Sequence, residues 1–306
     1  MKQFLKYFVG FAFVSIFTIV VLDIIMLSWK NNYSLHSHEI NYVNSYNKLK
    51  ALKDSNKIVI IAGSNGSFGI NSKMIHRAFN MPVVNTSTHA EIGVRMQFET
   101  YKDFLHRGDV VVFCPEYGGD KSRLYGSTTL LRILSTHLPS AYGKLSFRQC
   151  FFLHKYIGVS FANSLSSMND NAFDGPYSEK SLNKYGDVGC LRIHEDSIQK
   201  YHIYGKMDAD MIEYLKSIKY YAEKAGINFI FLPPTFMESN FKEEAKQIAS
   251  IAYSLKVNGI MFDALPSHYS FPDSLYFDTS YHMTLIGAQK RTEQVIRDIN
   301  KLLKTN

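Results

Sequence analysis

The sequence predicts an α/β fold: a three-layer α/β/α arrangement around a central, mostly parallel five-stranded sheet, behind one N-terminal transmembrane helix. Three observations predict it. Short runs such as 58–62 and 110–114 are apolar at every position and rich in Val and Ile, the composition of strands covered on both faces. Amphipathic stretches of helical period separate these runs, which implies parallel strands joined by crossover helices. Residues 1–30, MKQFLKYFVGFAFVSIFTIVVLDIIMLSWK, carry Asp23 as the only charge between Lys6 and Lys30, a length sufficient to cross a bilayer.

The 306 residues are 46% hydrophobic and 20% charged, which suits a folded chain and excludes wholesale disorder. The net charge of +7 comes from scattered Lys and Arg. Such a balance favours an anionic surface, phospholipid or acidic glycan. Without a basic stripe it argues against nucleic acid. Cys114, Cys150 and Cys190 show no CxxC spacing, so they imply neither a zinc site nor a full disulfide framework. Cys114 ends an apolar run and reads as a core residue. A Cys150–Cys190 disulfide stays open. No metal and no cofactor is expected.

Residues 1–30 form the anchor, with Tyr7 and Trp29 at its two interfaces. No A-x-A-like site follows the apolar run, which argues for a retained anchor. Lys2 and Lys6 favour an N-inside orientation, placing the rest of the chain outside the cytoplasm. Asp23 reads as a residue near the outer end that reaches the headgroups, in preference to a partner contact. Residues 31–56 are polar and read as a stalk, helical over 40–52. The domain follows over 57–304. Its strands are expected at 58–62, 82–85, 110–114, 228–232 and 259–263. Its helices are expected at 72–79, 91–106, 208–225, 242–255 and 285–303, the last capped by Thr284. Between about 120 and 207 the alternation breaks, and the length implies a partly helical insertion near the ligand-binding rim. In parallel sheets ligands bind beyond the carboxyl ends of the strands, where Ser64, Asn85 and Glu116 all fall.

The chemistry concentrates at two stretches. In 57–71, KIVIIAGSNGSFGIN, a buried strand stops at small residues that leave Ser64 at its carboxyl end. A serine hydroxyl needs a base, usually a histidine oriented by a carboxylate. In 275–291, LYFDTSYHMTLIGAQKR, Asp278 and His282 stand four residues apart just before the last helix. A carboxylate so placed can hold the imidazole in one tautomer.

Together the texts VIIAGSNGSFGINS, VVNTS and FDTSYHMTLIGAQKRT resemble the SGNH/GDSL hydrolase superfamily. Within it they resemble the membrane-anchored bacterial branch of alginate O-acetylation and teichoic acid D-alanylation proteins. The resemblance implies Ser64 as nucleophile, His282 as base and Asp278 as its orienting carboxylate. It places Gly63, Asn85 and Glu116 at oxyanion or substrate-binding positions, where Asn65 and a backbone N–H of Thr88 or Ala90 are the substitute donors. It also implies a single-pass protein of the bacterial cytoplasmic membrane. Its domain would act on an acylated, O-acetylated envelope or secreted polysaccharide, beside an integral-membrane acyl-transfer protein. The chain departs from the pattern at Gly63, where the superfamily has aspartate, and in an Asp-to-His spacing one residue longer. No glycine follows Asn85 until Gly93, and Cys114-Pro115-Glu116-Tyr117 lacks the third block's asparagine.

The G-x-x-G-x-x-G spacing of Gly63, Gly66 and Gly69 fits neither a dinucleotide fingerprint nor a Walker A loop. An α/β-hydrolase elbow would place its nucleophile after a later strand. The non-enzymatic alternative is an inactive SGNH-like accessory protein that binds glycan or a membrane partner.

Overall fold

Four all-apolar or nearly apolar runs pair side by side in the computed structural model, which describes residues 2–169, 174–203 and 207–305. Strands β1 (Ile58–Ile61), β2 (Val83–Asn85), β3 (Val110–Phe113) and β4 (Asn228–Phe231) form one parallel sheet in the order β2-β1-β3-β4. Ile58 lies opposite both Val83 and Val110, and Val110 opposite Asn228. Alternate side chains serve the two faces, as a pleat requires. Val59, Ile61, Val111 and Phe113 enter the larger core, while Ile58, Ile60, Val110 and Val112 meet Ile75, Val295 and Ile299 on the other face. At the lower end of β1 and β3, Lys57 and Asp109 form a fully buried ion pair at 2.8 Å.

The helices in chain order are α1 (Lys2–Leu27), α2 (Asn32–His36), α3 (Asn41–Ala51), α4 (Ser64–Gly69), α5 (Ser72–Phe79), α6 (Val94–Glu99) and α7 (Lys121–Tyr125). They continue with α8 (Thr128–His137), α9 (Phe147–Ser166), α10 (Ala209–Ala225), α11 (Glu238–Glu243), α12 (Ala245–Val257) and α13 (Leu285–Thr305). A two-stranded parallel pair, β5 (Phe236–Met237) and β6 (Ser270–Phe271), stands apart from the main sheet. Helix α1 is long and apolar enough to cross a membrane, and its apolar window is unburied by the rest of the protein.

Three expectations need correction. The sheet has four strands, not five. Residues 259–263 run beside β4, but the Phe231 N–H donates to the Asp263 carboxylate at 2.6 Å. A side chain thus takes a bond that a fifth strand's carbonyl would accept. The helix expected over 91–106 is broken at Gly93, whose φ of 81° interrupts the helical path before α6. The helix expected over 242–255 is two helices that meet at Glu244.

Residues 31–56 are not a free stalk. Tyr42 and Leu49 are wholly buried, and the Asn41 side-chain amide donates to the carbonyls of Asn85 and Ser87 at 3.0 Å each. Glu39 is buried in an ion pair with Arg132. This segment is part of the domain and lays His38 against the sheet's upper rim. The region around 120–207 is partly helical, through α7, α8 and α9. All three cysteines are free.

Candidate active site

Parallel strands put their carboxyl ends on one rim, and the switch of chain direction falls between β1 and β3. Ser64 follows β1 and Glu116 follows β3, so both stand at that crevice. A cavity of about 310 Å³ opens there, lined by Ser64, Ala90, Glu116, Tyr177, Asp278 and His282 among others. Two distant parts of the sequence therefore share one wall.

Ser64 begins α4 with Gly63 as its N-cap. The short helix is packed so closely that a side chain at its N-cap Gly63, or at Gly66 or Gly69 within it, would force a neighbour to move. A Cβ at Gly63 would collide with the Glu116 carboxylate, one at Gly66 would lie 2.7 Å from Ser87 Cβ, and one at Gly69 2.5 Å from Arg291 Nη1. The G-x-x-G-x-x-G spacing is a packing requirement. Arg291, fully buried on α13, donates to the Asn65 backbone carbonyl and, at 2.7 Å, to Asn65 Oδ1. Helix α13, which follows His282, thereby grips the helix that begins at Ser64.

His282 Nδ1 lies 2.9 Å from Asp278 Oδ1. Tyr177 donates its hydroxyl proton to Asp278 Oδ2, and the Tyr177 hydroxyl oxygen lies 3.1 Å from His282 Nδ1. A carboxylate accepts only, so the imidazole proton sits on Nδ1 and Nε2 is left bare. Burial opposes ionisation of Asp278, but the hydrogen bond and charge of His282 and the Tyr177 hydroxyl outweigh it and hold the carboxyl below its usual range. Burial and Asp278 raise the Tyr177 phenol well above its ordinary value, so it stays a donor. Below the imidazole lies Phe68, fully buried, with ring centroids 4.2 Å apart and planes 14° apart. Ser64 and His282 line the same cavity and make no hydrogen bond to each other among the described residues.

The other named residues divide. Gly63 and Glu116 flank Ser64, and Glu116 Oε1 accepts the Asn65 N–H at 2.9 Å. Ala90 lines the cavity, and its amide has no hydrogen-bond partner among the described residues. Asn65 and Asn85 point their amides elsewhere. Asn65 Nδ2 donates to the Cys114 carbonyl at 3.0 Å. Asn85 Nδ2 donates to the Gly66 carbonyl at 3.1 Å and to Asp187 at 2.9 Å. Both side chains are fully buried and hold loops.

Sequence reasoning missed His38, His89, Arg123 and Tyr177 in the cavity wall. His89 Nδ1 accepts the Glu91 N–H at 3.2 Å, which leaves a proton on Nε2. Burial keeps His89 neutral, against the pull of Glu91 and Glu39. His38 Nδ1 faces the Tyr177 carbonyl at 3.3 Å, so its proton sits there and Nε2 is a buried acceptor without a partner among the described residues. Burial pushes His38 down to about 4. The only signal for Tyr177 was the aromatic richness of the region around 120–207.

No group of three or more metal-ligating side chains occurs among the described residues. Comparison with known protein families, curated proteins and solved structures finds no match to this chain.

Proposed function

We propose that the protein is a membrane-anchored serine esterase or O-acyltransferase of SGNH type. Its substrate class is an O-acylated, most simply O-acetylated, envelope or secreted polysaccharide. The observation that carries this reading is the convergence of Ser64 with an Asp278–His282 pair, bonded at 2.9 Å, on one cavity.

Ser64 Oγ attacks the ester carbonyl as His282 Nε2 takes its proton, and the imidazolium that forms rests against ionised Asp278. Collapse of the tetrahedral intermediate breaks the bond to the leaving alcohol, which receives the proton from His282 and departs. The acyl group stays on Ser64. Water then gives hydrolysis, and a sugar hydroxyl gives transfer. The developing oxyanion falls to donors in the wall: the Ala90 amide, His89 Nε2–H and the Arg123 guanidinium. These replace the asparagine that Glu116 displaces. In this reading α1 holds the domain at the bacterial cytoplasmic membrane, beside an integral-membrane protein that delivers the acyl group.

Glu116 favours a second reading. A carboxylate bonded to the amide next to Ser64 opposes negative charge in the crevice, and a glycan-binding accessory protein would have no oxyanion to hold. The two readings part on turnover. The full chain in detergent is incubated with p-nitrophenyl acetate and with an acetylated polysaccharide. Acyl release that disappears in Ser64→Ala supports the enzyme. Polysaccharide binding without release, in a folded protein, supports the accessory role.

A further inference from the structure

Glu116 is a buried carboxylate with an open acceptor. It is 7% exposed, and a Cβ added at Gly63, the residue before Ser64, would collide with both of its oxygens. Oε1 accepts the Asn65 N–H at 2.9 Å. Oε2 accepts no hydrogen bond, and neither oxygen pairs with a cation, among the described residues. Oε2 is not fully enclosed, so a donor can reach it. Glu116 lines two hollows, one of about 20 Å³ and the cavity of about 310 Å³ that holds Ser64 and His282. A carboxylate has about four acceptor positions, and leaving them empty in a buried setting is costly. Only the larger hollow has room for a donor group to fill one.

The same cavity holds two further carboxylates, Glu91 and Asp278, against the guanidinium of Arg123. Burial raises the Tyr201 phenol, Arg123 lowers it, and the charges of Glu116, Asp278 and Glu91 raise it again, so all four charges are felt at this ring. Burial raises the Tyr281 phenol too, with Arg123 and Glu116 acting on it in opposite directions. Asp278 is engaged by His282 and Tyr177, and Glu91 Oε2 accepts from Ser127 and Thr129 at 2.9 and 2.8 Å. Glu116, next to Ser64, keeps its acceptor open. Three carboxylates exceed one guanidinium, so the cavity opposes an anionic sugar.

We propose that Glu116 sets substrate specificity: Oε2 accepts a hydrogen bond from a free hydroxyl beside the scissile ester, so the substrate is a partly acylated, uncharged sugar residue. The proposal rests on the esterase or acyltransferase reading, in which the ester sits on a sugar whose neighbouring positions carry hydroxyls. A buried acceptor rejects a ligand that brings no donor, because its lone pair then stays unpaired. A donor bound there also offsets part of the charge that Glu116 sets against the oxyanion. An ammonium drawn to Glu116 would meet Arg123 in the same wall, whereas a hydroxyl is repelled by neither charge.

The full chain in detergent is assayed for acetate release from methyl xyloside bearing one acetyl group, methyl xyloside acetylated at every hydroxyl, and methyl glucuronide bearing one acetyl group. The natural chain should favour the first over the second by about 10- to 150-fold in kcat/KM per ester, the range of one hydrogen bond to a charged group. It should favour the first over the anionic third by about tenfold or more, since like charges are opposed. Glu116→Gln has the same size and still accepts the Asn65 N–H. It should cut the first preference by about five- to tenfold, a charged bond becoming a neutral one, and speed release from p-nitrophenyl acetate, which brings no hydroxyl. Equal rates per ester on the two xylosides, or a preference that Glu116→Gln leaves intact, overturn the proposal while the enzyme reading stands. Release from the glucuronide as fast as from the mono-acetylated xyloside, or from p-nitrophenyl acetate alone, also overturns it. A folded natural chain that releases acetate from none of the four ends both readings together.

Discussion

Phe68 lies flat beneath the His282 imidazole, four residues after Ser64 on the same short helix. One element therefore carries Ser64 and seats the His282 ring, and Arg291 clamps that element to the helix that follows His282. Phe68→Leu keeps most of the buried volume but removes the flat ring. The expected result is a fall in kcat of about tenfold to a hundredfold with KM little changed, since small misplacements of reacting groups have effects of that size. Steady-state kinetics beside thermal unfolding checks it. A matching loss of stability and no kcat effect would make Phe68 a core residue only.

Tyr177 acts through Asp278. Its hydroxyl adds a hydrogen bond to the carboxylate that orients His282, and bonds to charged groups contribute about 1.5–3 kcal/mol. Tyr177→Phe is expected to lower kcat by roughly 10- to 150-fold, the same energy expressed as a rate. Because Tyr177 helps keep Asp278 ionised, the acid limb of the pH–rate profile should move up in the variant. An unmoved limb would count against this positioning role.

The fit between Gly63 and Glu116 is also measurable. A Cβ at Gly63 has no space unless the carboxylate yields. Gly63→Ala should destabilise by about 1–3 kcal/mol, the usual effect of overpacking. In a Glu116→Ala background most of that loss should vanish, giving a coupling of about 1 kcal/mol or more in a double-mutant cycle. Additive effects would show that the two residues do not press on each other.

Much of this architecture was legible because burial leaves a mark on composition. Strands β1, β2 and β3 are buried at every position, and their runs of Val and Ile announced it. The fifth strand failed because Asp263 sits where an edge strand's backbone would bond, and residue type does not reveal which atom accepts. The 31–56 segment was read as a stalk because polarity was taken for exposure. Asn31, Ser34, Glu39 and Asn41 are all buried, and their polarity is consumed by internal hydrogen bonds and the ion pair to Arg132. The site divides in the same way. Ser64, Asp278 and His282 stand out by spacing beside strand and helix ends. Tyr177 and His38 arrive from segments with no motif, so only the folded chain brings them to the cavity. Asn65 and Asn85 have the side chain an oxyanion donor needs, but the fold uses both amides to secure loops.

His38 makes stability depend on pH in a calculable direction. Its folded value of about 4 lies below its ordinary 6.5, so the unfolded chain binds its proton first as pH falls. Stability is fully present above pH 6.5 and is lost on the way to about 4, by roughly 3 kcal/mol from this residue alone. His89 and His137, also lowered by burial, add in the same direction. Asp187, raised by burial, opposes them as it takes up its proton. Denaturant unfolding between pH 7 and 4 should show a shallower fall for His38→Gln than for the natural chain. Equal slopes would show that His38 does not titrate in this way.

The most direct measurement of the central claim is the intact mass of the protein after exposure to p-nitrophenyl acetate. The natural chain should turn over. His282→Ala should retain one acyl group, located on Ser64 by peptide mapping, because the base that activates the second acceptor is gone. Ser64→Ala should take up none. A folded protein that neither turns over nor carries an acyl group, or an adduct that persists in Ser64→Ala, would contradict the account.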